Sequence, residues 1–246
     1  KFTFKMKKAI ILAGGAGTRL YPVTLETPKP LLTVNRKPII NYLIELFSSH
    51  GITEIKIVIR PNDRSEFDWW LKRYVKSFGK TSVSFAEEPK PMGTIGYWAH
   101  FLHKWTGDEP FFLSNGDELK EVDLTAMAEH HHENNGIATI ALVQVPNPTE
   151  YGVAVLSGNK IAEFIEKPKN PPSNMINSGL YFIDPKAIDY FREHIRDKIE
   201  FLSIEKDLFP KLARDNKLIA YRAGGRWYDC GNLERWEKAI KEWGNK

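Results

Sequence analysis

The sequence predicts an α/β protein: a doubly wound, mostly parallel sheet in its larger part, followed by a small antiparallel lobe. Three observations carry the class. Up to about residue 145, β-rich apolar runs alternate with helix-length amphipathic segments. Beyond residue 146, strands follow one another with no helix between them. A glycine cluster falls directly after the first strand, where open α/β sheets place their ligands.

The elements follow in order. AIILAG at 9–14 is a strand, and PIINYLIELFSSHG at 38–51 is a helix with Pro38 tolerated in its first turn and Gly51 as its stop. EIKIVIR at 54–60, a helix over 65–78 bracketed by Asp63 and Gly79, and SVSFAEE at 82–88 complete a βαβαβ unit. A helix over TIGYWAHFLHKW, a strand PFFLSNGD, a helix from Leu124 to Asn135 entered by Asp123, and a strand IATIALVQV continue the alternation. VAVLSGNKIAEFIEK then reads as two strands about Ser157, Gly158 and Asn159, and NMINSGLYFID as a third. Helices are expected from Pro185, over Ser203–Asp215 and from Asn232, with a strand LIAYRA before the last.

No repeat, low-complexity tract or convincing linker interrupts the chain, so 6–246 reads as one domain. MKKAIIL from Met6 looks like a natural start, which leaves residues 1–5 as an added remnant. The 35 basic and 31 acidic residues give a net +4, evenly spread, which argues against nucleic acid or a membrane as partner and for small molecules. No apolar run approaches the roughly 20 residues that cross a bilayer. The single cysteine, Cys230, excludes an intrachain disulfide, no Cys/His cluster has zinc spacing, and a reducing cytoplasm is the simplest location.

The stretch KKAIILAGGAGTRLYPVTLETPKPLL, residues 7–32, holds the chemistry. Gly15 and Gly17 supply only the first two glycines of G-x-G-x-x-G; position 20 is leucine, and Pro22 soon follows instead of a helix. The phosphate loop G-x-x-x-x-G-K-[ST] is absent too. What remains is a glycine loop whose amides can approach a phosphate chain, with Arg19 and Lys29 as positive charges. Spacing alone leaves a phosphate site and a merely tight turn both open.

LAGGAGTRLYPVTLETPKPLL closely resembles the signature of the sugar-1-phosphate nucleotidyltransferases, G-G-x-G-T-R-L-x-P-x-T-x-x-x-P-K-P-L. EEPKPMGT, SNGDEL, EYGVA, FIEKP, NSGLY and RWYDCGNLERW follow in family order, so the resemblance runs from Met6 to about Trp243, leaving no stretch here for the β-helical domain some relatives carry. The likeness is nearest to short mannose-1-phosphate guanylyltransferase-like forms. It implies attack by the phosphate oxygen of a sugar 1-phosphate on the α-phosphorus of a nucleoside triphosphate, releasing pyrophosphate. By resemblance, Leu12, Ala13, Gly14, Gly15, Gly17 and Thr18 bind the nucleotide together with Glu88, Gly93 and Thr94. Arg19 stabilises the departing pyrophosphate, and Lys29 contacts phosphate oxygens near the reacting centre. Asp117, which also belongs to the catalytic set, and Asp229 match aspartates that hold Mg²⁺ in relatives; taken alone, each reads as a turn or cap residue. Lys167 is assigned to the sugar phosphate, and Glu166, Asn177 and the backbone at Gly152 to sugar hydroxyls; the bland reading of Glu166 and Lys167 is a solvated charge pair.

Relatives specific for thymidine or uridine nucleotides commonly carry glutamine five residues before the glycine corresponding to Gly93, where this chain has Glu88. A carboxylate only accepts hydrogen bonds, so it suits the N1–H and amino group of guanine, or the cytosine amino group, better than uracil or thymine. The reading is therefore GTP with a mannose- or heptose-type sugar 1-phosphate. The alternatives are the same chemistry with UTP, dTTP or CTP, and a catalytically silent nucleotide- or sugar-sensing subunit. Relatives assemble as dimers or tetramers, so a homo-oligomer is open. His130, His131 and His132, consecutive on a helix, read as surface and not as a metal site; Trp69 and Trp70 read as core and rim of a helix, and Cys230 as a small buried filler.

Overall fold

The computed structural model describes residues 6–195 and 198–244, so the expectation for residues 1–5 lies outside the described residues. In chain order the first strands are β1 (Lys8–Leu12), β2 (Thr33–Val34) and β3 (Lys37–Pro38), followed by helix α1 (Ile39–Ser49). Next come β4 (Glu54–Ile59), α2 (Arg64–Tyr74) and β5 (Ser82–Glu87). A π-helical turn, Trp98–Leu102, leads into α3 (His103–Thr106), then β6 (Phe111–Asn115), β7 (Glu118–Lys120) and α4 (Leu124–Glu133). The later strands are β8 (Ala138–Gln144), β9 (Gly152–Ser157), β10 (Lys160–Glu166) and β11 (Met175–Ile183). α5 (Phe209–Arg214), β12 (Leu218–Arg222), β13 (Trp227–Asp229) and α6 (Leu233–Glu242) complete the order.

The chain gathers into two compact units. The first holds Lys7–Lys90, Ser114–Val122 and the segment from Gly225. Its strands run β5-β4-β1, both pairings parallel, as the alternation of strand and helix requires. α1 buries Ile39, Ile40, Leu43, Ile44 and Phe47, a spacing that puts them on one face. Its buried Asn41 accepts a hydrogen bond of 2.8 Å from the indole of Trp70, which α2 sends into the core beside Phe67, Phe78 and Phe85. Trp69, one residue before it, is 65% exposed and lines a cavity of about 410 Å³. Asp63 does not cap α2 with its side chain; it holds Arg60 through two bonds of 2.8 and 2.9 Å. The antiparallel ladders β7–β13 and β2–β3 belong to this unit as well.

The second unit holds Pro91–Leu113 and Asp123–Gly224. Its strand order is β6-β11-β8-β12-β10-β9, with β8 antiparallel to β11, parallel to β12 and buried along six of its seven residues. A strand covered on both faces reads as a continuous apolar run, which IATIALVQV is. β9 and β10 form the expected hairpin about Gly158. Asp123 caps α4 by accepting from the Ala126 amide. The helix expected from Pro185 is a 3-10 turn, Pro185–Phe191, and that expected over Ser203–Asp215 is a π-helical turn followed by α5.

One surface assignment is corrected. His131 is 1% exposed, because the buried positions of α4 are Leu124, Met127, Ala128 and His131, the i, i+3, i+4, i+7 pattern of a core-facing stripe. Its Nδ1 lies 2.8 Å from the Thr139 hydroxyl on β8.

Candidate active site

The glycine loop begins where β1 ends. The Ala13 amide donates to Val58 of β4, holding the chain in the sheet for one residue more, and Gly14 then turns out beside Glu88. A Cβ on Gly14 would stand 3.0 Å from the Glu88 carboxylate, so the residue expected to read the base adjoins the loop expected to hold the phosphates. Gly17 has φ +65°, and a Cβ there would meet Thr24 atoms at 3.0–3.2 Å; the Thr24 hydroxyl donates to the Gly17 carbonyl at 2.8 Å. Behind it Leu20 is fully buried, while Gly15, Thr18 and Arg19 are exposed. Arg19 has no hydrogen-bonding partner among the described residues.

Lys29 starts a tight 3-10 turn between two prolines and is itself buried, its ammonium donating to the Asp117 carboxylate. Asp117 lies between β6 and β7, where the Gly116 amide returns to the Leu12 carbonyl at 2.9 Å and ties this turn to the end of β1. Asp229 ends β13, opposite Glu118 in the β7–β13 ladder. The next residue, Cys230, donates its amide to the Asp117 carbonyl. Burial, and after it the charges of Asp117 and Asp229, push the Cys230 thiol well above its usual range. Both carboxylates therefore bear on one point, and Cys230 is the buried filler expected, packed with Leu20, Leu32, Val34, Ile39 and Leu119. Arg235 of α6 holds Asp229 at 2.6 Å.

Under this turn sits a buried polar network. Glu118 accepts from Lys120 at 3.0 Å, from the Trp227 indole at 3.0 Å and from Asn115 at 3.0 Å, and Lys120 also donates to Ser114. Burial pushes the Glu118 carboxyl up and the Lys120 ammonium opposes it.

The remaining expected residues lie in the second unit. Gly93 has φ +82°, and a Cβ there would stand 2.2 Å from the Leu202 carbonyl, so local packing alone demands glycine. The Thr94 hydroxyl donates to Glu205 at 2.8 Å and accepts from the Ile204 amide at 2.8 Å. Gly152 pairs with Glu166 across the β9–β10 hairpin. Burial, then the charge of Glu205, hold the Glu166 carboxyl above its ordinary value, with Lys167 opposing. Lys167, 64% exposed and 3.5 Å from Glu166, takes a left-handed φ of 48°. Asn177 uses its amide group at home: it donates to Tyr181 at 2.8 Å and accepts from Gly179 at 2.9 Å, across an irregularity in the β11–β8 register.

The structure thus brings Gly14 and Glu88 together, gathers Lys29, Asp117 and Asp229 around Cys230, and gathers Gly152, Glu166 and Lys167 with Glu205. Arg235, Glu205 and the pair Glu118–Lys120 were missed by sequence reasoning; only Glu118 and Lys120, flanking a leucine after the SNGD turn, carried a visible alternation. Among the described residues no three His, Cys, Asp or Glu side chains form a metal cage. Two carboxylates with no imidazole or thiolate ligand suit a hard divalent cation that takes its remaining oxygens from phosphate and water, so Asp117 and Asp229 fit such an ion.

Residues 8–245 match the model of the family described as Nucleotidyl transferase. The chain belongs to this family. Among curated relatives, mannose-1-phosphate guanyltransferase of Saccharomyces cerevisiae is 36% identical over 232 residues, and mannose-1-phosphate guanylyltransferase 1 of Arabidopsis thaliana is 37% identical over 233. Each alignment covers 91% of this chain and 61% of the relative, so the chain spans about three fifths of the length of the curated relatives it matches. Among solved family structures, one described as a candidate glucose-1-phosphate thymidylyltransferase from Bacillus anthracis is 28% identical with TM-score 0.86, covering 96% of this chain and 94% of that one. A UDP-glucose pyrophosphorylase in complex with UDP-glucose is 26% identical with TM-score 0.81, covering 97% and 98%. The mixed α/β fold is that of these nucleotidyltransferases. No helix among the described residues is long and apolar enough to cross a membrane.

Proposed function

We propose that this protein is an enzyme that transfers a guanylyl group from GTP to a mannose- or heptose-type sugar 1-phosphate, giving a GDP-sugar and pyrophosphate. The observation that carries the reading is the meeting of Lys29, Asp117 and Asp229 at the carboxyl end of β1, beside a glycine loop that opens to solvent. A sugar phosphate oxygen forms the new bond to the α-phosphorus as the bond to the bridging oxygen of pyrophosphate breaks, so the protein must align two anions and neutralise charge. In this reading Lys29 holds phosphate oxygens at the reacting centre, and exposed Arg19 meets the leaving pyrophosphate. Asp117 and Asp229 hold Mg²⁺, which when bound supplies charge neutralisation across the phosphates. Glu166 accepts from sugar hydroxyls and Lys167 donates to the sugar phosphate, while Thr94 donates to Glu205, whose charge bears on Glu166.

Guanine is supported by the carboxylate of Glu88 beside Gly14 and by the likeness to guanylyltransferases over 91% of the chain. The second reading, a uridylyl or thymidylyl transfer, is favoured by the solved relatives, which a UDP-glucose complex represents. The two separate in one assay: pyrophosphate release with Mg²⁺, each of ATP, GTP, CTP, UTP and dTTP being tested against mannose, heptose, glucose and N-acetylglucosamine 1-phosphates. Release with GTP alone, lost in Asp117→Asn, supports the proposal; release with another nucleotide moves the base, and silence with every pair overturns the enzyme reading in favour of a sensing subunit. A reducing cytoplasm, where nucleotide and sugar phosphates are available, is the compartment this reading implies.

A further inference from the structure

Both carboxylates of the candidate active site carry a base. Lys29 pairs with Asp117, and an NH group of Arg235 lies 2.6 Å from Asp229. The second pair is half-enclosed, its side chains 22% and 12% exposed, so Arg235 sits within the site and not on the outer surface of α6. Its position on the helix is costly. Arg235 lies in the first turn of α6, its amide donating to the capping Asn232 side chain, where the positive end of the helix disfavours a cation. A side chain recruited only for helix stability would be acidic here, as its neighbour Glu234 is. The guanidinium is held against the helix field by the charge of Asp229.

We propose that Arg235 is a phosphate-binding residue of the active site, parked on Asp229 until that carboxylate engages the divalent cation, and then donating to the polyphosphate oxygens of the nucleotide. The exchange is one of partners: carboxylate oxygen goes from guanidinium to metal, and guanidinium goes from carboxylate to phosphate. A planar fork of donors suits both partners, since carboxylate and phosphate present oxygens at matching spacing. Lys29 stands to Asp117 as Arg235 stands to Asp229, so two of the bases proposed for phosphate are held at rest by the two acids. The inference rests on the proposed function for the identity of the anion, and on the ion pair itself for the residue.

The test is Arg235→Gln in the full chain, with two readouts that a structural salt bridge would move together. Tb³⁺ luminescence, sensitised by Trp227 two residues from Asp229, reads cation affinity without nucleotide; freeing Asp229 of its competitor is expected to tighten Tb³⁺ about tenfold. Calorimetric titration with inorganic pyrophosphate in Mg²⁺ reads the anion and is expected to weaken about tenfold. Arg235→Lys keeps the charge and loses the fork; it serves if the glutamine variant melts early, with Tb³⁺ affinity unchanged and pyrophosphate binding about threefold weaker. Opposite shifts in the glutamine variant support the proposal. Loss of both affinities together, or no change in pyrophosphate binding in either variant, overturns it and leaves a structural pair. A wild-type protein that binds pyrophosphate yet releases none from any nucleotide would sink the proposed function while leaving this inference standing.

Discussion

His131 makes the stability of the fold acid-sensitive in a window that can be calculated. The imidazole is 1% exposed on α4, with Nδ1 2.8 Å from the Thr139 hydroxyl and its ring edge-on to Phe182 at 5.0 Å. Burial, then the neighbouring His132 and His130, pull its pKa from 6.5 down to about 3. The native state therefore holds His131 neutral, and protonation favours the unfolded chain. The stabilisation is complete above pH 6.5 and is lost as the pH falls from 6.5 toward 3. Each unit of difference is worth about 1.4 kcal/mol, so about 2 kcal/mol is gone by pH 5 and about 4 to 5 kcal/mol below pH 3. Urea unfolding of the wild type and of His131→Gln at pH 7.5, 6 and 5 isolates this contribution, because every other titrating group is common to both. The wild type is expected to lose about 2 kcal/mol more than the variant between pH 7.5 and pH 5. Parallel pH dependences, or an NMR titration in which the His131 ring protonates near pH 6.5, would refute the reasoning.

Three further outcomes are expected. Arg19→Ala and Lys29→Ala should each lower kcat/KM for pyrophosphate release by about a hundredfold to a thousandfold. They separate in thermal melting: exposed Arg19, with no partner among the described residues, leaves Tm unchanged, whereas removing buried Lys29 strands Asp117 and lowers it. Gly93→Ala should destabilise the protein by about 1 to 3 kcal/mol in denaturant unfolding, since it adds a side chain at φ +82° against the Leu202 carbonyl. Glu166→Gln should raise KM for the sugar 1-phosphate about tenfold or more while kcat and KM for the nucleotide hold, and an unchanged sugar KM would remove Glu166 from recognition.

What the sequence made legible was local. β1 and its glycine loop, the strands β4 and β5, and the hairpin about Gly158 are each legible from one short run of residues, before any pairing with a distant strand is considered. His131 was legible too, in the stripe Leu124, Met127, Ala128, His131; reading the three histidines only for metal spacing hid the one that the helical period sends inward. Glu205 was not. Its partner Thr94 is 111 positions away, and nothing in SIEKDLF distinguishes an acid that will meet Thr94 from one that will face water.

Asp117 and Asp229 show how a short ladder can carry a site that propensity cannot see. β7 and β13 are three residues each, drawn from segments more than a hundred positions apart, and neither would be assigned as a strand from its sequence. Their register is nevertheless strongly specified. Leu119 and Tyr228 are paired and pack into the apolar cluster around Cys230, while Glu118 and Lys120, flanking Leu119, join Trp227 in the buried polar network. A slip of one residue would drive the ion pair into the apolar cluster and the leucine into the polar network, both at the cost of burying unmatched groups. The Lys120–Glu118–Trp227 contacts thus fix the register, the register puts Asp229 opposite Glu118, and the Cys230 amide then closes onto the Asp117 carbonyl.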